Sequence, residues 1–366
     1  MSNGYYSYID IDATNAHYRM IIGERSNGKT YGALEKMIKN YVNNGKQSAY
    51  LRRYREDFVG KRGQTLFASI ENDGLIERLT DGEYNGVQYY AGCWYLKYQE
   101  GNEKPIKDSK PFCYGFALNS MEHDKSTSYP NINLIVFDEF LSRSFYLTNE
   151  FTLFMNVIST IIRQRDDTVI YMLGNTVSKY CPYFAEMGIT RIKEMKQGDI
   201  DIYSYGESEL KVAVEYAPVL SNEIKKSKDY FAFDNPALGM ITDGNWEFAL
   251  YPHMKYKYSP KDIKLIYFIL FDKEMLQCEI IKNENGIFTF IHRKTGKLKN
   301  EKDLLFTTEV DANPYHYRRI TKPVDERTKL IYDLIKSERV FFQDNEVGEI
   351  VRNYLNWCNK TEMFMS

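Results

Sequence analysis

The chain is poor in the residues that frame small secreted or metal-stabilised folds. Its five cysteines (Cys93, Cys113, Cys181, Cys278 and Cys358) are scattered through 366 residues, odd in number and free of C-x-x-C spacing. Zinc and a disulfide frame are therefore not expected, and the thiols read as free in a reducing compartment. No apolar run approaches the roughly 18 residues of a membrane span, and the N-terminus is polar, so a cytosolic protein without a membrane partner is expected. Basic surplus is missing too: 48 Lys and Arg against 50 Asp and Glu leave a net charge of −2. A uniformly basic nucleic-acid coat is excluded, and any contact with DNA or RNA must come from local patches. What is plentiful is Tyr (31) and Phe (21), which predicts aromatic-rich, half-exposed strands. Hydrophobic content of 43% supports a substantial core, and the length leaves room for two domains.

The pattern that organises the chain lies between Tyr18 and Tyr31. An apolar strand, Met20-Ile21-Ile22, runs into Gly23-Glu24-Arg25-Ser26-Asn27-Gly28-Lys29-Thr30, which fits G-x-x-x-x-G-K-[ST] at every fixed position. A helical run follows from Tyr31, with Ala33, Leu34, Met37, Ile38, Tyr41 and Val42 on one face. Strand, glycine loop and helix in that order make a phosphate site, because loop and helix N–H groups converge on anionic oxygens. Gly23 and Gly28 allow the close approach, Lys29 neutralises β- and γ-phosphate charge, and Thr30 ligates Mg²⁺.

A second strand, Ser48 to Leu51, ends in Arg52-Arg53-Tyr54-Arg55. A long insertion then runs from about 56 to 129, with a hairpin over Gly86 to Tyr98 and a strand near Phe112 to Leu118. An insertion of that size in a nucleotide-binding core covers the site or meets a partner. Asn133 to Glu139 reads as a central parallel strand, a continuous apolar run ending in acid. Asp138 is the expected metal-shell carboxylate and Glu139 the group that polarises the attacking water. Thr148 to Arg165 is helical by spacing and ends in Arg163-Gln164-Arg165. Those arginines either complement the helix dipole or supply a finger to a neighbour's γ-phosphate. Val169 to Leu173 is a further buried strand; Asn175 beyond it senses the γ-phosphate or serves the turn. A GTPase would need a base-reading N-K-x-D, and none is present. A small-molecule kinase could place Arg52, Arg53 and Arg55 in a lid, but it would not need Glu139 as a base.

From about 206 to 247 the chain turns polar and reads as a linker, where Lys225, Lys226 and Lys228 either contact phosphate backbone or form a solvated basic face. Leu265 to Phe271 and Leu276 to Ile281 read as a hairpin, Phe288 to His292 as the next strand, and Asp325 to Lys336 and Val347 to Trp357 as closing helices. Lys255, Lys257, Arg318 and Arg319 are further candidates for DNA contact.

Taken together, IIGERSNGKTYG, AYLRRYRE, YPNINLIVFDEF, IIRQRDD and LGNTVSKYCPYF resemble, in order and spacing, the DNA-packaging motor ATPases of small protein-primed tailed phages (Salasvirus-type). The resemblance covers most of residues 18 to 190 and implies a P-loop NTPase of the RecA/ASCE-like branch, α/β with a mostly parallel sheet. Its expected extents are an ATPase domain at 1–205, a linker at 206–247, and at 248–366 an αβ domain resembling a degenerate RNase-H-like nuclease. It also implies ATP and Mg²⁺, a homo-oligomeric (pentameric) ring and double-stranded DNA as cargo. A capsid portal, and in some relatives a packaging RNA, would be the docking partner, reached from the host cytoplasm. By motif, Lys29 and Thr30 carry the phosphate and metal roles, Asp138 and Glu139 the carboxylate roles, Arg163 the trans finger and Asn175 the post-strand polar position. Arg53 and Arg55 are candidates for a lid or trans role. A working nuclease of the implied fold needs acid within its first strand; LIYFILF has none, so no cutting is expected. A helicase-like motor and a nucleotide-gated assembly protein remain the alternatives.

Overall fold

A computed structural model describes residues 5–123, 127–142, 146–147, 149–176, 181–218, 251–296, 298 and 300–360. The chain forms two compact units, Met1–Glu247 and Phe248–Ser366.

Ten strands make the sheet of the first unit: β1 (Tyr18–Gly23), β2 (Gln47–Arg52), β3 (Gly86–Tyr90), β4 (Cys93–Tyr98), β5 (Ile106–Lys107), β6 (Cys113–Ala117), β7 (Ile132–Asp138), β8 (Val169–Asn175), β9 (Ile200–Ser204) and β10 (Lys211–Tyr216). Their order is β3-β4-β6-β2-β7-β8-β1-β10-β9, with β5 beside β4. The six strands from β6 to β10 in that order run parallel. Side chains alternate across it, as the period of a strand requires. Met20, Ile22, Ile135 and Phe137 enter one core with Phe154 and Ile158 of α4 (Glu150–Ile162). Ile21, Leu134 and Val136 enter the other with Ala33, Leu34, Met37 and Ile38 of α1 (Lys29–Asn44). Burial on both faces explains why the central strands read as continuous apolar runs.

The structure differs from the expected boundaries in two places. The first sheet does not end near residue 205. β10 lies beyond it and pairs with the glycine-loop strand, Met20 opposite Val214. Its sequence KVAVEY mixes Lys and Glu into the apolar run, which hid a strand buried on both faces inside a polar stretch. The insertion also returns to the core, because β6 pairs in parallel with β2. Its earlier part adds two short helices, α2 (Ala68–Asn72) and α3 (Leu75–Leu79), which pack Ile70, Leu75 and Ile76 into the α1 core. Lys225, Lys226 and Lys228 lie outside the described residues.

The second unit holds a six-stranded sheet of β11 (Ile263–Phe271), β12 (Glu274–Asn283), β13 (Gly286–Arg293), β14 (Leu305–Thr307), β15 (His316–Tyr317) and β16 (Val340–Phe342), ordered β15-β14-β11-β12-β13-β16. β11 to β13 form an antiparallel meander, and β14 joins β11 in parallel. α5 (Glu326–Lys336) starts at a capping box in which Asp325 and Thr328 satisfy each other's backbone N–H, and α6 (Asn345–Lys360) follows. No helix among the described residues is long and apolar enough to cross a membrane.

Candidate nucleotide site

β1 delivers the glycine loop to the carboxyl edge of the sheet, where β7 and β8 also end. Gly28 adopts φ 89° and caps α1, with Ser26 at φ 59° just before it. Such angles are cheap for glycine, and they let the chain close tightly before Lys29. The Lys29 side chain folds back into the loop, its Nζ donating to the Glu24 carbonyl at 2.6 Å and to Asn27 Oδ1 at 3.0 Å. Burial lowers this ammonium to about 8, since desolvation disfavours the charged form. Asn27 Nδ2 is buried and has no hydrogen-bond partner among the described residues. An orphan donor and a buried cation in one loop are what an anion would satisfy.

Asp138 faces this loop. One of its oxygens accepts from Thr30 Oγ1 at 3.1 Å and from the Tyr50 hydroxyl at 2.7 Å, while the other accepts from the Glu139 N–H at 3.0 Å. Burial raises its pKa, and the Arg52 guanidinium, 3.8 Å away, opposes the rise. A buried carboxylate next to a threonine hydroxyl is an oxygen donor set suited to Mg²⁺. Glu139 sits at φ 58°, which turns its side chain away from the strand. That side chain is half exposed and is held by Arg52 Nη2 at 2.6 Å. Asn175 stands in register with Gly23 across the β1–β8 pair. Asn27 to Tyr31, Asp138, Glu139 and Asn175 line one cleft of about 1120 Å³. The two motifs, more than a hundred residues apart in sequence, therefore meet.

Other expected residues lie elsewhere. Arg53 is buried, a position poorly suited to a lid or trans group. Its guanidinium grips both oxygens of Glu150 at 2.8 and 2.9 Å and the carbonyls of Glu139 and Phe140 at 3.2 and 2.8 Å. It thereby fixes the turn that follows Asp138. Arg55 is exposed in a short 3₁₀ turn. Glu24 is buried while Arg25 is exposed. Arg163 follows α4 at φ 52° and donates to the Thr127 carbonyl at 2.9 Å. Thr127 precedes β7, so Arg163 lies at the opposite end of that strand from Asp138, about 20 Å of extended chain away. It does not reach the phosphate loop of its own chain. Arg165 holds the Tyr129, Pro130 and Ile161 carbonyls.

Sequence reasoning missed several neighbours. Tyr50 reaches Asp138 because residues alternate along β2; only the adjacency of β2 and β7 reveals it. Tyr5, Tyr6 and Ser7 line the cleft, tied there by the Tyr6 N–H donating to the Asn27 carbonyl at 2.8 Å. Ser69, Asp73, Leu75 and Arg78 of the insertion line it from another side.

Comparison with known proteins agrees with this architecture. A family model described as Podovirus DNA encapsidation protein (Gp16) matches residues 99–216. The DNA packaging protein of Bacillus phage PZA is 23% identical over 314 residues, which cover 82% of this chain and 85% of the relative. That of Bacillus phage B103 is 28% identical over 172 residues, covering 46% and 47%. Among solved structures, the bacteriophage Phi-29 viral genome packaging motor assembly is 18% identical, with a TM-score of 0.60 and coverage of 95% and 98%. The Phi-28 gp11 DNA packaging motor is 18% identical, with a TM-score of 0.56 and coverage of 98% and 97%. Over most of its length this chain is therefore similar to the DNA packaging proteins of these Bacillus phages.

Proposed function

We propose that this chain is the ATPase of a phage DNA-packaging motor, which hydrolyses ATP to drive double-stranded DNA into a preformed capsid. The observation that carries the reading is the 3.1 Å contact between Thr30 of the glycine loop and Asp138 of the acidic strand. It brings the two halves of a triphosphate site together at one sheet edge. The names and extents of the relatives support the cargo.

In this reading Lys29 unfolds from Glu24 and Asn27 to bind the β- and γ-phosphates, and the loop N–H groups orient them. Thr30 and Asp138 would hold Mg²⁺, which when bound offsets charge on the phosphate oxygens. Glu139 orients the attacking water, once released from Arg52, and Asn175 hydrogen-bonds near the γ-phosphate. Arg163 acts across a subunit boundary, completing the site of the neighbour in a ring, which the resemblance makes a pentamer. The far position of Arg163 in its own chain supports that assignment. The motor docks transiently on the capsid portal from the host cytoplasm, with a packaging RNA as a partner where the relatives use one, and is absent from the mature virion.

Grip on DNA is through phosphate contacts, which are independent of sequence as a motor moving any genome requires. The second unit binds without cutting, since β11 carries no acid and Asp272 only follows it in the turn. Exposed Lys255 and Lys257 are candidate contacts. Arg318 lies over the Trp357 ring at 5.3 Å, and Arg319 follows it in sequence. ATPase measurement with and without duplex DNA, read against oligomeric state, tests the proposal. DNA-stimulated turnover confined to the assembled species, and lost in Lys29→Ala, is expected. Turnover in monomers that ignores DNA would overturn the motor, and strand separation would favour a helicase.

A further inference from the structure

The phosphate end of the cleft accounts for only part of its lining. From Asp138, Glu139 and Asn175 the cleft continues past Thr30 and the first turn of α1, along Tyr31, Gly32 and Glu35. Across from that turn stand Ser69, Asp73, Leu75 and Arg78, all from the insertion. The two sides face each other closely, with the Tyr31 hydroxyl near enough to the Asp73 carboxylate for the two to interact. Arg78 folds over the same turn, its Nη1 donating to the Asp73 carbonyl at 2.5 Å. Leu75 is buried and anchors the turn in the α1 core, so the turn is placed by packing.

A triphosphate seated on the loop with its γ end toward Asp138 runs its α end toward Tyr31. Its nucleoside must then leave along this second half of the cleft. The groups there differ in kind from those of the loop: a carboxylate, a guanidinium and an aromatic hydroxyl. A carboxylate accepts from vicinal hydroxyls, and a planar guanidinium stacks on a heteroaromatic ring.

We propose that the insertion is the nucleoside-recognition element of the site, with Asp73 accepting from the ribose hydroxyls and Arg78 covering the base. This rests on the nucleotide reading above and adds to it the groups that distinguish a ribonucleoside triphosphate from bare triphosphate. It also gives the insertion a reason to be fastened to α1: binding of the nucleoside ties the two together through a third partner.

Calorimetric titration of the full chain with ATP, 2′,3′-dideoxy-ATP and inorganic tripolyphosphate tests this. Loss of a hydrogen bond to a charged group is worth about 10-fold in Kd, so wild type should bind ATP about that much more tightly than the dideoxy analogue. Asp73→Ala should erase that gap while leaving tripolyphosphate unchanged. Arg78→Ala should weaken ATP and the dideoxy analogue alike, by about 5-fold, again sparing tripolyphosphate. Tyr31→Phe, which keeps the carboxylate, should preserve the gap. Equal binding of ATP and its dideoxy analogue by wild type, or a gap that survives Asp73→Ala, overturns the assignment. The phosphate reading is judged separately. If Lys29→Ala weakens all three ligands while Asp73→Ala changes nothing, only the nucleoside assignment falls. If Lys29→Ala changes none, the whole site falls with it.

Discussion

The Tyr50 hydroxyl and the Thr30 hydroxyl share one oxygen of Asp138, at 2.7 and 3.1 Å. One comes from the neighbouring strand and the other from the glycine-loop helix. Tyr50 is buried and, unlike Thr30, does not line the cleft, so it acts by holding the carboxylate in place. Tyr50→Phe removes a hydrogen bond to a charged group, a loss of about 1.5–3 kcal/mol. ATP affinity measured with Mg²⁺ should fall about 10- to 100-fold for a loss of that size, while affinity measured in a chelator should hold. Equal loss in both conditions would mean that the substitution damages the loop itself.

Glu139 and Arg163 are assigned to opposite sides of a subunit boundary. Glu139→Gln should bind ATP and stop turning over, and Arg163→Ala should also be inactive in a homogeneous preparation. Mixing the two should restore part of the DNA-stimulated rate, because some boundaries then pair a normal glutamate with a normal arginine. Mixtures as inactive as their parents would return Arg163 to a role in its own chain, where it holds the Thr127 carbonyl.

Arg53 and Glu150 form a buried pair whose side chains are 8% and 0% exposed. Removing one partner leaves the other charged and unmatched, so Arg53→Met should cost about 3–5 kcal/mol of stability. The double substitution Arg53→Met with Glu150→Leu should recover much of that loss in thermal unfolding. A mild single-variant effect would show that the turn after Asp138 is held by other contacts.

Glu215 on β10 accepts from the Tyr6 hydroxyl, and burial, reinforced by Asp10 and Asp12, pushes its pKa up to about 7. A carboxyl raised from its ordinary 4.5 binds more protons when folded than when unfolded between those two values. Stability from this group is therefore complete at low pH and declines as pH rises from about 4.5 through 7. Glu215→Gln should flatten that part of the profile and raise the melting temperature at pH 8 relative to wild type. Parallel profiles for the two proteins would remove Glu215 as the cause.

The parts of the site legible in the sequence were those written as local runs. Gly23 to Thr30 is contiguous, and the strand ending at Asp138 is apolar on both faces because it is covered on both faces. The burial of Arg53 was not legible because YLRRYR places three arginines together, and nothing local says which one turns inward. Only the position of Glu150, nearly a hundred residues later, decides it. Asp73 and Arg78 were invisible for a similar reason: the helices that flank or carry them are about one turn long, and their place is set by Leu75 packing under α1. β10 was missed because Lys211 and Glu215 interrupt its short apolar run within a polar stretch, although its side chains enter both cores.

β10 ends beside the glycine loop: the Ala217 N–H donates to the Ile22 carbonyl at 2.7 Å. A side chain begun at Gly23 would meet the Ala217 Cβ at 2.9 Å. Any side chain at position 23 would thus wedge β10 away from β1 and shift the backbone that enters the glycine loop.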